Sequence, residues 1–291
     1  MRLKNLTGAT LSLFALFQPH AAFAEKPVDS LPRVGNWVAN FDDNACHLVG
    51  QFGTGEEAVT LHMTRFAPTD AFDLKLYGER FKTAAASASG GVTFQPDAKI
   101  QRELVMLGTL GKLPMAVFGR YRFDGWRARN ESEVGPSVSP ELEVAVTSFD
   151  VQLGSNHRFR LLTGSMGRPM ATMRTCMNGL VQHWGYDPQE QAKLRRAPTP
   201  LSRPETWVVS DDYPVRELSQ GRSGIVQFRL DVDAAGKVER CSILSSTKSD
   251  YFQSATCAGL TKRARFAPAV NADGKPVRSF YVNAVRWLSP G

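Results

Sequence analysis

The sequence predicts an α+β chain. A β-rich N-terminal domain, read as a sandwich or a strongly bent sheet closed by one helix, precedes a small domain with a three-stranded antiparallel sheet and a packed helix. Three observations carry that prediction. Between residues 34 and 163, short alternating apolar–polar runs recur with turn residues between them, the spacing of a sandwich or barrel. Met170, Met173, Met177, Leu180, Val181 and Trp184 then fall at helical spacing and form one apolar stripe. From 213 to 287 the order is turn, strand, turn, strand, helix, strand.

The first domain reads as strands near 34–41, 46–52, 57–66, 73–77, 92–95, 100–107, 115–123, 142–153 and 157–163. Asp42, Asp43 and Asn44 supply turn chemistry between the first two. Residues 84–91 are small and polar and read as a loop or weak helix, and 130–140 as a Glu/Ser/Pro/Gly loop. Pro169 sits at the start of the closing helix, where a missing N–H costs nothing. The four methionines from Met166 to Met177 are the residue type of a copper site, but at this spacing they make a core stripe.

The chain has 291 residues, 42% of them apolar, enough for two ordinary domains with real cores. Residues 1–24 read as a secretory signal. Arg2 and Lys4 start it, 6–17 is apolar, and Ala22-Phe23-Ala24 fits a small-x-small cleavage pattern before Glu25. Gln18, Pro19 and His20 cut the apolar run short of the ~20 residues a membrane span needs. Net charge is +7, or +5 without Arg2 and Lys4. The cations are scattered without an aromatic–basic array, which argues against nucleic acid. Prolines 188, 198, 200 and 204 mark 188–204 as a linker between domains at 25–187 and 205–291.

An even number of cysteines in an exported chain suggests disulfides. Cys241 and Cys257 lie on the second strand and the helix of one small domain, elements that must pack together, so they are paired. Cys46 and Cys176 are then left to close the first domain.

In the C-terminal domain, Val226, Phe228, Leu230 and Val232 alternate with Gln227, Arg229 and Asp231, which predicts a half-buried strand. Asp233 to Gly236 turns the chain. Val238, Cys241 and Ile243 are the inward set of the next strand. Val238 and Cys241 have opposite parity, which requires a bulge between them. Ser249 or Asp250 caps a helix ending near Arg263, where Lys262 and Arg263 suit the macrodipole. Phe266 to Ala269 stops that helix, and 277–287 is the last strand.

Tyr213-Pro214, Gly224-Ile225-Val226, Gly236-Lys237-Val238, Ser245-Ser246, Arg265-Phe266-Ala267-Pro268 and Gly274 with Pro276-Val277 occur in that order. With these marks, 207–287 resembles the C-terminal domain of the TonB energy-transducer family. The resemblance implies a periplasmic, Gram-negative setting and binding of a short extended segment of an outer-membrane transporter or another envelope protein, with membrane contact only through partners. It implies that the last strand pairs with that segment by β-augmentation. In this chain that strand is Phe280, Tyr281, Val282, Asn283, Ala284, Val285 and Arg286. A dimer partner or the first domain covering that edge is the competing arrangement.

Enzyme motifs fail. Residues 163–167 lack the first glycine of GxSxG, because position 163 is threonine. Gly108 to Lys112 lacks P-loop spacing. His47, His62, His157 and His183 are dispersed. Asp42, Asp43, Cys46 and His47 read as a turn entering a disulfide-bonded strand, and Glu141 with Glu143 as the solvated face of a strand. No catalytic, cofactor or metal residue is therefore assigned, and a binding protein is expected. The alternatives are a membrane-anchored transducer that retains the N-terminal segment, separable by intact mass, and an enzyme sited in the first domain.

Overall fold

The structure, a computed structural model, describes residues 28–85, 87–96, 102–127, 135–155, 157–247 and 249–289. The predicted signal and its Ala24–Glu25 junction lie outside the described residues, as does part of the 130–140 loop.

The N-terminal strands do not form a sandwich. β1 (Asp29–Phe41), β2 (Cys46–Phe52), β3 (Val59–Arg65), β4 (Phe72–Tyr77), β5 (Ser87–Gln95), β6 (Glu103–Leu110), β7 (Leu113–Tyr121), β8 (Ser148–Leu153) and β9 (His157–Leu162) close into one barrel, ordered β1-β2-β3-β4-β7-β6-β5-β8-β9. The long first strand makes the closure. Its start, Asp29 to Pro32, pairs in parallel with Phe159 to Leu162, and its end, Val38 to Phe41, pairs antiparallel with β2. An irregularity between Val34 and Val38, with Gly35 at φ 71°, bends one strand toward both neighbours. Residues 87–91, read as a loop, belong to β5.

Alternation fills the interior. Leu48, Phe52, Leu61, Met63, Phe72, Leu74, Leu76, Phe94, Val105, Phe149, Val151 and Leu161 are all buried. Phe72, Phe94, Phe123 and Phe149 meet edge-to-face with centroids 4.8–5.9 Å apart. The 142–153 strand expected from sequence begins as helix α1 (Pro140–Ala145). Ser139 caps it through Leu142 N at 3.2 Å, and Pro140 opens its first turn. Glu143 is therefore not on a solvated strand face. It is fully buried and accepts from Arg174 Nη1 at 2.6 and 2.7 Å.

Helix α2 (Gly167–His183) lays Met170, Met173, Cys176, Met177, Leu180 and Val181 on the barrel core. A disulfide joins Cys46 at the start of β2 to Cys176. The segment read as a linker is itself folded. It holds α3 (Pro188–Ala192) and β10 (Thr199–Pro200), and Arg195 and Arg196 both bond to Val270 O.

After α4 (Val215–Ser219), β11 (Gly224–Val232) and β12 (Val238–Ser246) form a hairpin covered by α5 (Asp250–Arg263). A disulfide joins Cys241 to Cys257 across that contact. The expected bulge is present: Asp231 faces Arg240 and Val232 faces Val238, leaving Glu239 as the extra residue. Gly236, at φ 82°, lies so close to Phe266 O that a Cβ would come within 1.9 Å of it. β13 (Phe266–Ala267) pairs with β10, and β14 (Ala269–Val270) with β15 (Pro276–Val277). β16 (Ser279–Trp287) pairs with β11, so the main sheet runs β12-β11-β16.

Candidate binding edge of the C-terminal sheet

Both faces of this sheet are occupied. On the α5 side, Phe228, Leu230, Val232, Leu260 and Phe266 surround buried Trp207. The other side, expected to carry a solvated polar row, is pressed against the barrel. Gln227, Arg229 and Asp231 are 9%, 5% and 1% exposed. Phe280 and Val282 pack on the barrel core, with the Phe280 ring 5.3 Å from Trp184 and 5.0 Å from Tyr186.

The charged groups and the tyrosine hydroxyl at this junction are matched, while Gln227 Oε1 is buried without a partner. Arg229 Nε donates to Asp231 Oδ1 at 2.9 Å, and the guanidinium lies 4.4 Å above the Trp184 ring. The Tyr186 hydroxyl lies 3.0 Å from both Asp231 Oδ1 and Ser279 O, two acceptors for its single proton. Burial, reinforced by the Asp231 charge, pushes that hydroxyl well above the usual tyrosine range, so it stays a donor. Gln227 Nε2 donates to Asp73 Oδ2 at 3.0 Å, and Arg120 Nε donates to the other Asp73 oxygen at 3.0 Å. No local signal points to these partners, because Gln227, Arg229 and Asp231 alternate with apolar residues as a solvated row would.

What remains is the edge. Among the described strands, only β11 pairs with β16. The Ala284 N–H bonds to Asn283 Oδ1 at 2.8 Å rather than to β11. Alternation along an antiparallel strand then turns the N–H groups of Phe280, Val282 and Arg286 the same way, toward the outer edge. Those of Tyr281, Asn283 and Val285 point to β11. Asn283 is positioned from its own face, its amide donating to the Tyr281 hydroxyl at 2.8 Å. Tyr281 in turn packs on Phe266 and Trp207.

Residues 210–288 match the family of Gram-negative bacterial TonB protein C-terminal domains. No curated protein matches the chain. The TonB C-terminal match covers the hairpin, α5 and the edge strand, and leaves out the barrel and 188–204. The TonB domain is thus held against the barrel by one sheet face and by the 188–204 segment, with β16 at its edge. The other groups weighed for chemistry fall elsewhere. Asp43 accepts at its carbonyl from Trp184 Nε1 at 3.2 Å, Asp42 caps the β1–β2 turn, and Cys46 is in a disulfide. His47 and His62, dispersed in sequence, are neighbours on the barrel's outer face.

Proposed function

We propose that the chain is an envelope protein of TonB type that works as a periplasmic binding module. In this reading its C-terminal domain pairs an extended segment of an outer-membrane transporter, or of another envelope protein, along the outer edge of β16. The observation that supports it is the edge itself, with outward donors at alternate residues on a strand whose two side-chain faces are already packed. Backbone pairing supplies affinity that tolerates side-chain change, so the partner is recognised first as an extended strand. Function rests on binding rather than catalysis, and the barrel presents the domain in a fixed orientation. A transducer that retains residues 1–24 would use the same edge and differ only in topology, which the intact mass of the exported protein decides.

The test is capture from outer-membrane extract by the mature full-length chain and its Ala284→Pro variant. Proline removes the Ala284 N–H, which faces outward and is held by Asn283 Oδ1 rather than by β11, so the sheet survives while an incoming strand loses a donor it would take over from Asn283 and meets the proline ring at the edge. The parent should retain specific outer-membrane proteins and the variant should lose them at an unchanged melting temperature. Equal capture by both proteins overturns the edge mechanism.

A further inference from the structure

Three polar atoms meet on the outer face of the barrel. His47 Nδ1 on β2 and His62 Nε2 on β3 are 3.0 Å apart, with ring centroids 4.9 Å apart. Thr64 Oγ1 stands 3.1 Å from the same His47 nitrogen. On the far side of that ring, Nε2 lies 2.9 Å from Asp42 Oδ2. Asp42 is itself fixed, because its other oxygen accepts from the N–H groups of Asn44 and Ala45 at 2.8 and 2.7 Å. Burial raises the Asp42 pKa, but the His47 hydrogen bond and those two amides outweigh it and leave the carboxyl below its ordinary value. The carboxylate therefore accepts the Nε2 proton of His47, and in the neutral ring Nδ1 is the nitrogen that carries the single in-plane lone pair. Thr64 and His62 both stand at that one lone pair. Without a metal, His62 donates its Nε2 proton to that lone pair, and the tautomer with the proton on Nδ1 instead offers Nε2 as a second nitrogen ligand beside it.

We propose that His47 Nδ1 and His62 Nε2 are the protein ligands of a divalent transition ion of the zinc, copper or nickel class, with Asp42 as the carboxylate that orients His47. Two nitrogens each about 2.1 Å from one ion stand about 3.0–3.4 Å apart between right-angle and tetrahedral geometry, which this pair meets with little movement. A carboxylate on the remaining ring nitrogen is the usual support of a ligating histidine. Imidazoles select these ions over calcium and magnesium, which take oxygen ligands. Among the described residues no group of three or more His, Cys, Asp or Glu side chains is placed to hold a metal, so the Thr64 hydroxyl and water complete the coordination. The His47 side chain remains 15% exposed, which leaves the ion a way in. Lys75 faces His62 in the strand register and opposes the incoming charge.

The experiment titrates the metal-free mature chain with zinc chloride in competition with a chromophoric chelator at neutral pH. Wild type should take up one equivalent, and zinc should raise its melting temperature. His47→Ala and His62→Gln should each weaken that equivalent by at least about tenfold and remove the melting shift, and Asp42→Asn should weaken it by about tenfold. Lys75→Ala should tighten it, an outcome that survives even if a histidine variant fails to fold. His157→Ala and His183→Ala should leave it unchanged. Absence of a saturable equivalent in wild type overturns the proposal. So does zinc uptake that persists in both His47→Ala and His62→Gln.

Discussion

Nine strands of the barrel close on themselves, whereas the three strands of the C-terminal sheet stop at β12 on one side and β16 on the other. Closure pairs both edges of every barrel strand somewhere along its length and leaves no continuous edge for a partner. The open sheet keeps an outer row of donors and acceptors and exchanges backbone solvation for pairing only when a partner arrives. The two regions also solve burial differently. The barrel interior is filled by aliphatic and phenyl side chains, while the contact between barrel and sheet carries hydrogen-bonded Arg229, Asp231 and Tyr186, with Gln227 bonded through its Nε2. A closed apolar core supplies rigidity. A matched polar contact fixes one docking geometry, because each buried charge is satisfied only in register.

Breaking the disulfides separates the two regions most strongly. Cys46–Cys176 spans 130 residues and Cys241–Cys257 spans 16. The chain-entropy relation gives roughly 5 and roughly 3 kcal/mol for loops of those lengths. Denaturant titration of the paired Cys→Ser variants should show the larger loss for the barrel bridge, and equal losses would contradict the entropic account. Asp231→Ala should cost about 3–5 kcal/mol, because it leaves Arg229 buried without its counter-ion. A single, lower melting transition would mean that barrel and sheet unfold together. A barrel transition that stays at its original temperature while the sheet alone melts earlier would break the picture of one docked unit.

Acid sharpens the comparison further. His62 titrates near 4 in the folded barrel, against 6.5 for an ordinary histidine. Between those values the unfolded chain binds more protons, so stability falls as pH drops through that window, by roughly 2–3 kcal/mol at its foot. Melting curves in metal-free buffer should show that slope in wild type and lose most of it in His62→Gln. The smallest effect expected is Tyr186→Phe, about 1 kcal/mol from one lost hydrogen bond at the junction, read from the same melting curves.

Much of the candidate site was legible in the residues. Alternation in 224–232, the parity change between Val238 and Cys241, and the turn at Asp233 to Gly236 located the hairpin and its bulge, because each depends on neighbours in the chain. The order of marks from Tyr213 to Val277 identified the domain that includes β16. The polar row Gln227, Arg229 and Asp231 was misleading, since alternation reports that two faces differ but not that the polar one meets water. Glu143 misled for a related reason: its counter-ion, Arg174, lies 31 residues away on another helix. The capping signal of Ser139-Pro140 was present and would have shown α1.

By itself, the sequence determined most barrel strands, helix α2, the C-terminal hairpin with α5 and β16, the cysteine partners and the kind of domain at the C-terminus, because periodicity, turn chemistry and motif order act over short stretches of chain. Only the tertiary structure decided that the first sheet closes into a barrel, since closure rests on Asp29 to Pro32 meeting Phe159 to Leu162 across the whole domain. It also decided that the supposed linker is strapped down at Val270, that Tyr186 and Trp184 seat the second domain, and that His47 and His62 face each other. These are contacts between distant segments. Their energies depend on which groups share a desolvated space, and nothing in the neighbouring residues records that.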